Sequence, residues 1–119
     1  MKLFTVIERK KILQNELSRI VDLIKKEYDP LKIIHFGSLA NNKIHEWSDI
    51  DILIIKETHK RPIDRYLELC RLVKPKVGID FFVYTPEEYE ILLKEKYSFL
   101  LNILENGKVL YEKRSRRVV

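Results

Sequence analysis

Apolar residues recur early in the chain at helical intervals, at Leu13, Leu17, Ile20, Val21 and Ile24, until Tyr28-Asp29-Pro30 stops the pattern. That spacing predicts a long amphipathic helix packed on a sheet. Thr5-Val6-Ile7-Glu8 has capping-box spacing and places the helix start there. Ile33-Ile34-His35-Phe36 and Ile52-Leu53-Ile54-Ile55 then read as buried strands, being short, β-branched and bounded by turn residues. The run from Val77 to Tyr84 is a further strand with one charge, Asp80, in its middle. Between these, Pro62 opens a helix through Val73 with Tyr66, Leu67, Cys70 and Val73 on its inner face, and Pro75 breaks it. Thr85-Pro86-Glu87-Glu88 is another capping box and starts a helix through about Lys96. A helical segment from Phe99 to Glu105 stops at Asn106-Gly107, and Lys108 to Tyr111 reads as a last short strand. With a short helix expected at residues 38–42, the order predicts a two-layer α/β (α+β) domain. Its sheet is mixed, with helices on one face and carboxylates at the edge of the other.

Charge stands against the hydrophobic pattern in one place. Phe36-Gly37-Ser38 is followed, after ten residues, by Asp49-Ile50-Asp51, and Asp80 interrupts the third strand. If the second strand begins at Asp49, its two aspartates leave on the same face and repel unless a cation lies between them. Pairing the third strand beside the second could bring Asp80 to the same point, a hard-oxygen site suited to Mg²⁺ with substrate phosphates. Gly37 permits a tight turn, and Ser38 can cap a short helix whose free N–H groups attract an anion. Taken singly, Ser48-Asp49 could be a turn, Asp51 a strand-edge charge, and Gly-Ser any loop. Their order along the chain favours metal and phosphate together.

Gly37-Ser38, ten residues, then Asp49-x-Asp51 resembles the signature of the minimal nucleotidyltransferases of the DNA polymerase beta superfamily. The resemblance implies a polymerase beta palm-like fold and two Mg²⁺ ions on a nucleoside triphosphate, ATP foremost. Asp49 and Asp51 would hold the metals, Asp80 would share one and help activate an acceptor hydroxyl, and Gly37 and Ser38 would hold the triphosphate tail. Such stand-alone proteins are commonly antitoxins paired with a helical HEPN-type toxin, which they bind and adenylylate. The pattern departs at Ala40-Asn41-Asn42, where the family often has Ala-Arg-Gly. An arginine supplied from outside the chain is one expected remedy. The departure also favours the competing reading, a binding module that neutralises a partner by covering it. Transfer to a small hydroxylated compound is a third reading, and it needs a pocket that this chain can hardly enclose alone.

At 119 residues the chain is expected to be one domain, residues 1–112, followed by a basic flexible tail, residues 113–119, with an outside partner completing the site. The net charge of +5 hints at nucleic acid, yet Lys113, Arg114, Arg116 and Arg117 carry four of those charges, leaving +1 for the rest. Nucleic acid is therefore not expected as a partner, whereas an oligomer or hetero-oligomer is. The single cysteine, Cys70, fits a core position and a reducing cytoplasm. No run is apolar enough to span a bilayer, and Met1-Lys2-Leu3-Phe4, followed at once by charged, helix-patterned sequence, is not expected to open a signal peptide. His35 is expected to be a packed, hydrogen-bonded core histidine. Trp47, near His45 in the loop before Ser48, is expected to fold back on the core edge sooner than stack on a base.

Overall fold

The structure, a computed structural model, describes residues 2–44 and 49–114. The elements are α1 (Lys2–Glu27), β1 (Lys32–Phe36), β2 (Ile50–Ile55), α2 (Pro62–Val73), β3 (Ile79–Tyr84), α3 (Pro86–Lys94), α4 (Ser98–Asn106) and β4 (Lys108–Glu112). The expected mixed sheet is present, four-stranded in the order β3-β2-β1-β4. β1 is antiparallel to both β2 and β4, and α2 makes the crossover that lets β3 run parallel to β2.

Helices cover both faces of this sheet, a correction to the expectation of one. Ile33, Ile50, Ile52, Ile54, Phe81 and Val83 face α1 and α2, joining Leu13, Ile20, Ile24, Leu69 and Val73 in one core. The alternate positions Ile34, Leu53 and Ile55 bury themselves against Leu100 and Ile103 of α4, with Tyr89 and Leu92 of α3 beside them. The reason was visible in Ile52-Leu53-Ile54-Ile55: a strand apolar at successive positions has two faces to remove from water. Each such buried side chain is worth about 2 kcal/mol.

Local starts and faces also differ from expectation. α1 begins at Lys2, so Thr5 and Glu8 lie within it and do not cap it. On α2 the buried stripe is Arg65, Leu69 and Val73, while Leu67 is exposed and Tyr66 and Cys70 are partly buried. Thr85 and Glu88 do form the expected reciprocal capping box at α3. His35 is buried and kept neutral, its pKa pushed down to about 4 by burial and by Lys108, but its Nε2 lacks the expected hydrogen bond among the described residues.

Two buried charges tie the layers together. Glu16 of α1 accepts hydrogen bonds from Arg19 at 2.8 Å and from the Lys76 backbone N–H at 2.6 Å, pinning the loop before β3. Arg65 donates to the Lys60 and Val83 carbonyls at 2.8 and 3.0 Å and to both oxygens of Glu88 at 2.8 and 3.1 Å, linking α2, β3 and α3. The Arg65 hydrogen bonds hold the Glu88 carboxyl below its ordinary pKa of 4.5, so their stabilisation is present above that pH and is lost as acid protonates Glu88. Arg65→Met takes the donor from two carbonyls and leaves the Glu88 carboxylate with the Thr85 backbone N–H. It is expected to cost about 2–4 kcal/mol in urea unfolding with an unchanged slope. A loss below about 0.5 kcal/mol would show that the latch is merely solvated surface.

Candidate active site

Three strand ends meet at one end of the sheet. β1 ends there at Phe36, while β2 and β3 begin there, and the register sets Phe36 opposite Asp51 and Asp51 opposite Asp80. Directly opposed residues share a face, so the Asp51 and Asp80 carboxylates are neighbours. The strand begins at Ile50, one residue later than the same-face expectation for Asp49 and Asp51 assumed, and Asp49 stands at its mouth. Backbone Ile50 N–H donates to Gly78 O at 3.1 Å, which brings the β3 entrance beside Asp49.

Two glycines make room for these carboxylates. Gly37 has φ +87°, and a Cβ there would collide with Asp51 Oδ2. At Gly78 a Cβ would fall within 2.6 Å of the Asp49 carboxyl carbon. Any side chain would push the aspartates away, so both glycines serve close approach. Gly37 was expected at the site. Gly78 was not, although an isolated glycine at a strand entrance is the ordinary sign of such an approach.

Beside Asp51 the floor is aromatic. Phe36 and Phe82 rings lie 5.7 Å apart, and both touch Phe99 of α4, at 5.8 and 5.2 Å. Asp51 is half-buried and Asp80 exposed, and the Asp49 side chain keeps 51% of its surface. Burial first, then the charges of Asp80 and Asp49, push the Asp51 carboxyl from 3.8 up to about 6. An all-carboxylate set that repels itself in this way fits a hard divalent cation such as Mg²⁺. In this arrangement Asp49 Oδ1 instead faces Arg9 Nη2 at 3.3 Å. Among the described residues no three His, Cys, Asp or Glu side chains are gathered closely enough to enclose a metal.

The segment after Gly37 is a turn, not the expected short helix. Asn41 N–H donates to Gly37 O at 3.1 Å and Lys43 N–H to Ser38 O at 2.8 Å, after which Asn42, at φ +56°, turns the chain away. Asparagine tolerates that left-handed geometry, and the Asn41 side chain also donates to Gly37 O at 3.1 Å. The Asn-Asn pair that departs from the family pattern thus closes the turn. Ser38 lies within it but caps no helix. Lys10 reaches this turn from α1, its Nζ 3.0 Å from Asn42 Oδ1. Neither Arg9 nor Lys10 was singled out beforehand, since nothing distinguishes them among 23 basic residues. His45, Trp47 and Ser48 lie outside the described residues, as do residues 115–119, part of the stretch expected to be a basic tail.

A pKa raised on folding means that ionising Asp51 costs stability, a cost absent below pH 4 and complete above about 6. Asp51→Asn is therefore expected to be more stable than the parent at pH 7.5 without metal. The gain, after discounting for the solvent that screens a half-buried group, is about 1–2 kcal/mol. The difference should vanish near pH 4. Paired urea titrations at the two pH values check this, and a variant less stable at pH 7.5 would contradict it.

Residues 18–116 match the family described as Polymerase beta, Nucleotidyltransferase. Two proteins of Methanocaldococcus jannaschii are similar in sequence, each named "Putative protein adenylyltransferase". One is 34% identical over 100 residues, covering 82% of this chain and 97% of the relative. The other is 32% identical over 109 residues, covering 87% and 74%. The crystal structure of a "putative nucleotidyltransferase" from Sulfolobus solfataricus has the same fold, with a TM-score of 0.64 over 97% of this chain and 94% of that one at 19% identity. The chain belongs to the polymerase beta family of nucleotidyltransferases.

Proposed function

We propose that this nucleotidyltransferase moves AMP from Mg²⁺-bound ATP to a hydroxyl group of a partner protein. The observation that carries the reading is the register that sets Asp51 beside Asp80, with Asp49 at the strand mouth and the Gly37 turn closed over Asp51. Protein is favoured as acceptor because the two Methanocaldococcus relatives are named for that activity. The openness of the site agrees, with Asp80 exposed to whatever approaches. A cleft of about 740 Å³ lined by Glu57, His59, Arg65 and Thr85 lies beyond the other ends of β2 and β3.

Asp49 and Asp51 would hold two Mg²⁺ ions, with Asp80 sharing one. When bound, these supply charge neutralisation at the attacking and leaving oxygens. The chain's own work is to position and to move a proton. The Gly37–Ser38 turn would seat the triphosphate tail, leaving the α-phosphorus open to the acceptor oxygen. As that oxygen forms its bond to phosphorus, Asp80 accepts its proton. The bond from phosphorus to the bridging oxygen breaks, and pyrophosphate leaves with that electron pair.

The finer setting, a cytoplasmic antitoxin acting on a HEPN-type helical toxin, rests on the resemblance of the Gly-Ser and Asp-x-Asp pattern. A second reading, a binding module with a slow or inactive nucleotide site, draws on the absence of a cation between Ser38 and Asn42.

Incubation with labelled ATP, Mg²⁺ and the product of the neighbouring reading frame, followed by intact-mass measurement, separates the two. Added AMP on the partner, lost with Asp49→Asn, is the expected result. Tight complex formation without a mass change, equally strong with Asp49→Asn, would instead leave the binding module. Asp80→Asn is expected to slow transfer at least about 100-fold while Mg-ATP affinity changes less than about threefold. Full turnover in that variant would reduce Asp80 to a strand-edge charge.

A further inference from the structure

No cationic side chain stands between Ser38 and Asn42, where the turn would meet a triphosphate. Lys43 directly follows that turn, and from α1 Lys10 reaches the turn itself while Arg9 reaches Asp49 beside it. Arg9 and Lys10 lie one turn before Leu13, a fully buried residue of the α1 stripe, and so continue that stripe's side of the helix toward the end of the sheet that bears the carboxylates. Arg9 reaches Asp49, 40 residues on, and Lys10 reaches Asn42, 32 residues on. The site thus has carboxylates on one side and a guanidinium and an ammonium on the other. A metal-bound triphosphate has the matching arrangement: a cation that wants carboxylates, and phosphate oxygens that want cationic donors.

We propose that Arg9 and Lys10 are the triphosphate-binding cations of this chain, supplying in cis the charge missing from the Gly37–Asn42 turn. The inference rests on the metal-triphosphate reading of the site given above. Before nucleotide arrives, Arg9 neutralises Asp49. When metal and triphosphate enter, Asp49 passes to the metal and Arg9 to a phosphate oxygen, so each charge changes partner and none is left unpaired. Lys10 likewise exchanges a neutral amide oxygen for an anionic one, the stronger acceptor. Both residues precede the stretch, 18–116, that matches the family, so they are a feature of this chain outside that match. They also remove the need for an arginine supplied by the partner.

A bland role predicts the opposite sign. If Arg9 were only a counter-ion to Asp49, it would compete with the metal, and its removal would strengthen metal-triphosphate binding. The probe is Mg²⁺ with inorganic tripolyphosphate, measured calorimetrically beside Mg²⁺ alone, on the parent, Arg9→Met, Arg9→Lys, Lys10→Met and Asp51→Asn. Methionine keeps an unbranched stem and helix propensity, and thermal melts verify folding. Arg9→Met should weaken tripolyphosphate binding about 10- to 100-fold, with Mg²⁺ alone bound as well as before or better. Lys10→Met should weaken it about tenfold, and Arg9→Lys should recover part of the loss. Binding within about threefold of the parent in both methionine variants, or tighter, overturns the inference. In that case its loss in Asp51→Asn alone leaves the metal site standing. A parent that binds no Mg-tripolyphosphate overturns the metal-triphosphate reading itself, and this inference with it.

Discussion

Repulsion between carboxylates is the constraint around which this end of the molecule is built. Asp51 and Asp80 are held side by side by the parallel register of β2 and β3, and Asp49 adds a third negative charge at the strand mouth. Left alone, such a group would move apart or take up a proton, and Asp51 does hold its proton more tightly than an ordinary carboxyl, through burial first and the charges of Asp80 and Asp49 after it. The neighbouring strands cannot separate, because both faces of the sheet are sealed by separate cores. The fold thus stores a cost at the site and offsets it elsewhere, a common arrangement where function needs unfavourable neighbours.

Positioning depends on elements far away in sequence. Glu16 of α1 pins the loop that delivers Gly78 and Asp80, and Gly78 in turn gives Asp49 its space. α4 sends Phe99 onto Phe36 and Phe82, giving Asp51 an apolar wall that strengthens every charge interaction beside it. α1 then serves twice, as the main cover of one face and as the bearer of Arg9 and Lys10.

Much of this was legible beforehand because the signals were local. The strands, α2 and the α3 capping box follow from β-branched runs, Pro62 and Thr85-x-x-Glu88, and the three aspartates stood out by breaking an apolar pattern. Other features depend on pairings between distant residues, which periodicity cannot show. Arg65 looks like any surface arginine until β3 and α3 close over it, and Arg9 and Lys10 are anonymous until α1 passes the Gly37 turn. The short helix expected at residues 38–42 gave way to a turn because Asn41 bonds to Gly37 O and Asn42 adopts a left-handed conformation. The helical cover on the second face could have been read from Ile52 to Ile55, where hydrophobicity does not alternate.

If crowded carboxylates define the site, a divalent cation must stabilise the fold, and must do so through them. The direct measurement is the thermal midpoint at pH 7.5 with and without millimolar Mg²⁺, on the parent and on Asp51→Asn. A rise of several degrees in the parent and almost none in the variant is predicted. An equal shift in both proteins, or none in the parent, would contradict the account.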